Sequence, residues 1–335
     1  MRLGKLSNQE LERLVLSHFQ SRRDEVVVAP GVGLDCAVID FADSLCAVSS
    51  DPITAASSHI GALAVHVCCN DAASAGAKPV GILTTYLLPA DTTNETIDHI
   101  SADVAHAAEL AGIDVLGGHT EFTDAVTRPV ISATVLAKAP RGQQINAGNM
   151  QPGDGLYMTK WAGIEGSFII AADGDPARLG ALLDDSERAE ALRWRDELSV
   201  VDAAEKAVQC GVHAMHDATE GGILGAAWEM ADASSCGLLL DAASIPIHPI
   251  TQRLAEGLGF APLRLMASGC LLLAVTPEVA EKLRRELGKI DVALTQIAQV
   301  VAREKGVRCD GQLLDPPGAD ELYRVMRDME RADRS

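Results

Sequence analysis

The chain has 335 residues, of which 47% are hydrophobic, 22% charged and only 3% aromatic, with a formal net charge of −19. That length suggests two domains, and that composition a globular chain whose cores are built from Ala, Val, Leu and Ile. The charge argues against nucleic-acid backbones and anionic membrane surfaces, which need clustered Lys and Arg, and is read most simply as solubility.

The opening residues Met1 to Glu10 are polar and lack the apolar core of a secretory signal. Ser7-Asn8-Gln9-Glu10 is a capping-box pattern followed by Leu11, Leu14, Val15 and Phe19, which predicts a helix over about 7–21. Val26–Ala29, Ala37–Ile39 and Leu45–Val48 are short β-rich runs. Ile60–Ala75 predicts a helix that is apolar nearly all round, and so buried, ended by Gly76. Val80–Leu88 predicts a strand closed by Pro89. A capping box at Thr92–Glu95 opens a helix that Gly112 stops near Ala111. Val115-Leu116 is a short strand before Gly117-Gly118, and Val130–Ala137 a long one. Ala147–Gly155 is loop-like, with Gly148, Asn149, Pro152, Gly153 and Asp154 close together. A boundary there gives domains over 1–147 and 148–335.

Beyond it, Leu156–Thr159 predicts a strand. Helices are expected near Glu165–Ala172, Ser186–Leu198 and Val200–Cys210. His213–His216 is strand-like, and Glu220–Ser234 predicts a helix. Leu238–Leu240, Cys270–Val275 and Leu294–Val300 predict strands, with a helix over Pro277–Leu287. There are no repeats and no strict βαβ alternation, so the expected class is α+β. No apolar stretch reaches the roughly 20 residues of a membrane span. The eight cysteines form no CxxC pair and lie mostly in apolar runs, which suits a reducing cytoplasm.

Acidic residues recur beside glycines or turns: Asp35 in Gly31–Asp40, Asp51 in Ser49–Pro52, Asp71 in Asn70–Gly76, Glu121 in Gly117–Glu121 and Asp217 in His216–Gly222. Several carboxylates converging would suit a hard cation, and bound Mg²⁺ would suit a nucleotide polyphosphate. Each has a plainer reading. Asp35 and Asp51 read as turn residues. Asn70-Asp71 lies in an apolar helix, so Asp71 needs a cation, a donor or a route to water, or else the helix frays near Gly76. Asp217-Ala218-Thr219-Glu220 is itself a capping pattern. Gly221-Gly222 inside a helix start calls for a close backbone approach, and a helix N-terminus suits phosphate. His119 alone reads more simply as a satisfied turn histidine than as a ligand. No HExxH or other zinc spacing occurs, so a dedicated zinc site is not expected; GxxxxGK[ST] and GxGxxG are absent, so nucleotide would bind by another architecture, and no GxSxG nucleophile elbow occurs.

As a set, these motifs resemble the AIR synthase-like (PurM-like) ATP-binding superfamily, whose members include selenophosphate synthetase, thiamine monophosphate kinase and the hydrogenase maturation factor HypE. The resemblance covers nearly the whole chain and is closest to HypE. Gly33–Val38 is similar to the GDDAAV element, and Ser50-Asp51 to the aspartate on the next strand. Asn70–Pro79 is similar to NDLAMSGAKP, Gly117–Glu121 to GGHTE, Asp217–Gly222 to DPTRGGL, and Ser268–Leu272 to SSGTLL. The resemblance implies a two-domain α+β fold that dimerises through its first sheet, with ATP and Mg²⁺ in the cleft. By position, Asp35, Asp51, Asp71 and Asp217 would hold metal. Asn70, His119, Glu121, Thr219, Gly221 and Gly222 would lie near the nucleotide.

Two departures matter. Leu34 stands where the family element has its first aspartate, and no cysteine follows Cys309, so HypE's chemistry on a C-terminal cysteine is not expected. Lys5 reads most simply as a solvated lysine, with a reach to phosphate from a mobile N-terminus as the alternative. The expectation is a cytoplasmic, homodimeric, ATP- and Mg²⁺-dependent enzyme that activates or phosphorylates a small substrate, with a maturation-partner protein as a further expectation. A thiamine-monophosphate-kinase-like enzyme and a non-catalytic nucleotide-binding scaffold are the alternatives.

Overall fold

The computed structural model describes residues 8, 9, 12, 24–29, 31, 32, 34, 36–142 and 145–332. Most of the predicted N-terminal helix, Lys5, Gly33 and Asp35 lie outside them. The first sheet holds β1 (Val26–Val28), β2 (Ala37–Asp40), β3 (Leu45–Ile53), β4 (Lys78–Leu88), β5 (Asp114–Phe122) and β6 (Val130–Ala139) in the order β1-β2-β3-β6-β4-β5. Among the described residues β4 and β5 pair in parallel and the other pairings of this sheet are antiparallel. Between the strands run α1 (Ile60–Ser74) and α2 (Asn94–Ala111).

The second sheet has the order β13-β12-β9-β11-β7-β10-β8. Its strands are β7 (Gly155–Thr159), β8 (Ala214–Asp217), β9 (Gly237–Leu240), β10 (Leu271–Val275), β11 (Leu294–Val301), β12 (Val307–Cys309) and β13 (Gln312–Leu313). Its helices are α3 (Ile164–Asp173), α4 (Pro176–Leu182), α5 (Asp185–Arg193), α6 (Val201–Cys210), α7 (Gly222–Ala233), α8 (Pro249–Leu258), α9 (Pro277–Gly288) and α10 (Glu321–Ala332). Helices α4, α8 and α10 escape the sequence reading.

Helix α1 is the element on which the two sheets meet. It packs on β3 and β6 of the first sheet and on β8 and α6 of the second part. Every residue of α1 except Val67 is buried, as its all-round apolar sequence requires. One continuous apolar cluster therefore runs from Val38 and Ile131 through Leu63 and Val65 to Leu156 and Phe168. Polar ties reinforce the junction. The Asp173 carboxylate accepts from the amides of Ser57 (2.6 Å) and Ser58 (3.0 Å), just before α1.

Three local expectations are corrected. Asp51 is a strand residue rather than a turn residue: β3 runs on past the end of β2 to Ile53, paired throughout with β6. Its Pro52 is tolerated because β2 no longer covers that stretch of β3. The segment Gly117–Glu121 is likewise strand, since parallel pairing with β4 carries β5 to Phe122. Asp217 does not cap the next helix. It ends β8, and the cap of α7 is Gly221, at φ 86°.

Candidate functional site

The predicted polar residues of α1 diverge to both sides of the helix. On the first-sheet side, the Ser49 hydroxyl of β3 lies 2.6 Å from Asp71 Oδ2 and 3.4 Å from Asp51 Oδ2. Asp51 and Asp71 thus flank one hydroxyl. Asp71 is 9% exposed, so it has both a donor and an opening to water. That resolves the anomaly of a carboxylate in an apolar helix: it is met by Ser49, and the helix does not fray.

On the other side, Asn70 is fully buried and both ends of its amide are used. Its Nδ2 donates to Leu198 O at 2.8 Å, and its Oδ1 accepts from the Val200 amide at 2.9 Å. One turn on, the Ser74 hydroxyl lies 2.8 Å from Asn70 O and 3.2 Å from Asp217 Oδ1. Lys160, at the end of β7, grips the same 197–199 stretch. Its Nζ donates to Glu197 O and, at 3.1 Å, to Ser199 O. Burial lowers the Lys160 pKa, and its backbone is left-handed at φ 55°, a costly state for a residue with a side chain. Asn70 is therefore a clamp on the 198–200 strap rather than a group free to meet phosphate.

His119 and Glu121 stand apart. They share one face of β5, with His119 Nε2 3.3 Å from Glu121 Oε2, and both are well exposed. In the strand order, β6 and β4 lie between β3 and β5. Three strand spacings, roughly 14 Å, thus separate them from the Asp51 strand. Among the described residues no three His, Cys, Asp or Glu side chains gather into a metal-binding group.

The glycine pair has a packing explanation. A Cβ on Gly222 would lie 2.6 Å from Leu263 O and 2.7 Å from Leu265 O, so the chain's own loop approaches there. The Gly221 amide donates to Asp320 Oδ2 at 2.7 Å. The Thr219 carbonyl accepts from Gly222 and Ala267, which ties this turn to the segment before β10.

Several residues that sequence reasoning passed over surround this turn. Glu165, in the first turn of α3, is buried, and burial pushes its pKa up to about 7, with the nearby Ser268 hydroxyl and amide offsetting this in part. Its Oε2 and Ser268 Oγ nonetheless make no hydrogen bond. Asp320 is pushed up to about 6 by burial, against the amides of Leu322, Gly221 and Met266. Tyr323 Oη donates to Glu220 Oε1 at 2.6 Å. No spacing in the sequence links residue 165 to residues 220, 268 and 320; Ser49, Glu220 and Ser268 had a local signal, each lying in or beside a quoted motif, whereas Glu165, Asp320 and Tyr323 had none.

Two family models match the chain in order. The AIR synthase related protein N-terminal domain matches residues 33–139, and the C-terminal domain matches residues 151–310. Carbamoyl dehydratase HypE of Escherichia coli K12 is 30% identical over 287 residues, 82% of this chain and 81% of that protein. Among solved structures, AaThiL complexed with AMPPCP and TMP superposes with a TM-score of 0.76 at 18% identity, covering 96% of this chain and 99% of that one. Hydrogenase maturation protein HypE in complex with ATP gives 0.70 at 22% identity, covering 96% and 97%. These likenesses bear on fold, and they agree with the two α+β halves seen here. The chain belongs to the AIR synthase-related family, with its two-domain PurM-like fold.

Proposed function

We propose that this protein is an ATP- and Mg²⁺-dependent enzyme that activates or phosphorylates a small substrate by phosphoryl transfer. The observation that carries the reading is the Asp51–Ser49–Asp71 arrangement at the junction of the two sheets. Two carboxylates and a hydroxyl are hard oxygen donors. Mg²⁺ is commonly bound by one or two carboxylates with phosphate oxygens and waters completing its shell, so the donor set fits. Bound there, the ion would neutralise charge on a transferring phosphoryl group. Family membership and a HypE relative solved with ATP support the nucleotide.

The chain's own residues position this centre. Ser49 orients Asp71. Asn70 and Lys160 hold the 197–200 strap against α1, and Ser74 links α1 to Asp217. Asp35 and Asp217 belong to the same reading as further carboxylates, with Thr219 and the residues after it on the second-domain side. The reading divides the chain near residues 147 and 148 into a nucleotide-binding, dimerising domain and a second domain.

The homodimer is supported by β5. It is exposed along its whole length at the sheet edge, with Leu116 53% and Phe122 56% exposed beside Val80 on β4 at 54%. A second copy pairing along this edge would also bring company to His119 and Glu121. A cytoplasmic setting and a maturation-partner protein complete the proposal. None of the eight cysteines forms a disulfide among the described residues, which suits a reducing compartment. Among the described residues no helix is long and apolar enough to cross a membrane.

The test is isothermal titration of ATP, with and without Mg²⁺, into wild type and Asp71→Asn. Mg²⁺-dependent binding weakened at least about tenfold in the variant is expected, since one charged ligand is lost. No binding to wild type overturns the assignment. Product analysis then separates a stable phosphorylated product from release of ADP and phosphate alone.

A further inference from the structure

The segment before α10 lies across the Thr219–Gly222 turn. Asp320 is 2% exposed; its Oδ2 accepts from the Gly221 amide at 2.7 Å and its Oδ1 from the Leu322 amide at 2.8 Å. Pro317 covers the same glycine, with its Cβ 3.3 Å from the point a Gly221 Cβ would occupy. Tyr323 closes the other side through its hydrogen bond to Glu220. One stretch of chain therefore covers the turn at three points.

Gly221 caps α7, a twelve-residue helix, so its amide points out of that helix's positive end. A carboxylate there occupies the kind of position phosphate oxygens take at helix N-termini. A separate observation shows that the covered arrangement is imperfect. Glu165 Oε2 and Ser268 Oγ are buried with no hydrogen-bond partner. The charged groups acting on Glu165 are Asp320 of this segment and Glu220 of the turn, both acidic, and Tyr323 of α10 also faces it. The cover is thus held by a few hydrogen bonds in acidic surroundings.

We propose that Pro317–Tyr323 is a displaceable cover over the Thr219–Gly222 turn, in which the Asp320 carboxylate holds the Gly221 amide in place of a phosphate group of bound nucleotide. The proposal rests on the nucleotide-binding reading above. It makes the second half of the site self-occupied, so binding includes the work of lifting the cover.

Two measurements test it, both with Mg-ATP and the full chain. The first is hydrogen–deuterium exchange of wild type with and without Mg-ATP; faster exchange over residues 317–329 on binding is expected. The second is titration of Asp320→Asn, which keeps the shape but removes the charge. Roughly fivefold tighter binding than wild type is expected, and a smaller gain in the same direction for Tyr323→Phe. Binding by Asp320→Asn alone also supports the cover. Binding to wild type with unchanged or slower exchange over 317–329 overturns the cover and leaves the nucleotide reading standing. That exchange result decides the matter even where Asp320→Asn does not fold. Binding to neither protein overturns both.

Discussion

Helix α1 and strand β5 carry the two halves of one expected site, and they meet opposite fates. On α1, Asn70 and Asp71 sit in a nearly dry junction, and neighbouring elements supply their donors and acceptors. On β5, His119 and Glu121 face outward from an edge strand and find chiefly each other. A buried polar group must be satisfied within the chain, because leaving it unpaired is costly. An exposed one can wait for a ligand or a second copy. The polar groups of α1 thus find their partners within the chain, whereas His119 and Glu121 stay open to solvent.

The sharpest way to break that comparison is Asn70→Leu. Two buried backbone groups, Leu198 O and the Val200 amide, would lose their partner. We expect a loss of roughly 3 kcal/mol in urea unfolding, whereas a loss near zero would mean the strap finds other partners.

Glu165 supplies the contrasting kind of burial, one whose cost the Ser268 hydroxyl and amide offset only in part. Its pKa rises from the ordinary 4.5 to about 7, so folding takes up a proton between those values. Stability from this group therefore falls as pH rises from about 4.5 through about 7, the reverse of a salt-bridged carboxylate. Glu165→Gln should unfold at higher temperature than wild type at pH 8, by on the order of 2 kcal/mol in stability, with the advantage gone near pH 5. A pH-independent difference would show that the carboxyl does not titrate in this window.

On the β5 side, Leu116→Lys combined with Phe122→Lys should leave the stability of each copy within about 0.5 kcal/mol, as for most surface changes. It should nonetheless halve the molar mass measured by light scattering. Unchanged mass would remove β5 as the contact between copies. The smallest effect is expected for His119→Ala, within about 0.5 kcal/mol in thermal unfolding. A larger loss would show that this histidine is part of the fold.

Much of the fold was legible along the chain. The all-round apolar run of α1, the Gly112 stop and the alternating pattern of β6 each act through neighbours a few residues away, so sequence spacing carries them. Strand ends were less legible. Asp51 and Gly117–Glu121 look like turn chemistry, but pairing with β6 and β4 draws them into strands, and pairing partners are remote in sequence. The cap at Asp217 was misread because its signal, Asp-x-x-Glu, fits an α-helix start as well as a strand leading into one. Asp35 lies outside the described residues, and its place remains a proposal resting on the family motif.

The sequence by itself determined the family and the α+β class and offered the candidate carboxylates, because motif order and local periodicity are properties of the chain alone. Only the tertiary structure decided which of those residues share a neighbour. Ser49 joins Asp51 to Asp71, Asn70 turns away to clamp a strap 128 residues on at Leu198, and Asp320 reaches back to Gly221. The physical reason is that a buried donor or acceptor takes whatever partner packing brings within about 3 Å. Packing is set by how helices and sheets close on one another, and that closure cannot be read from spacing along the chain.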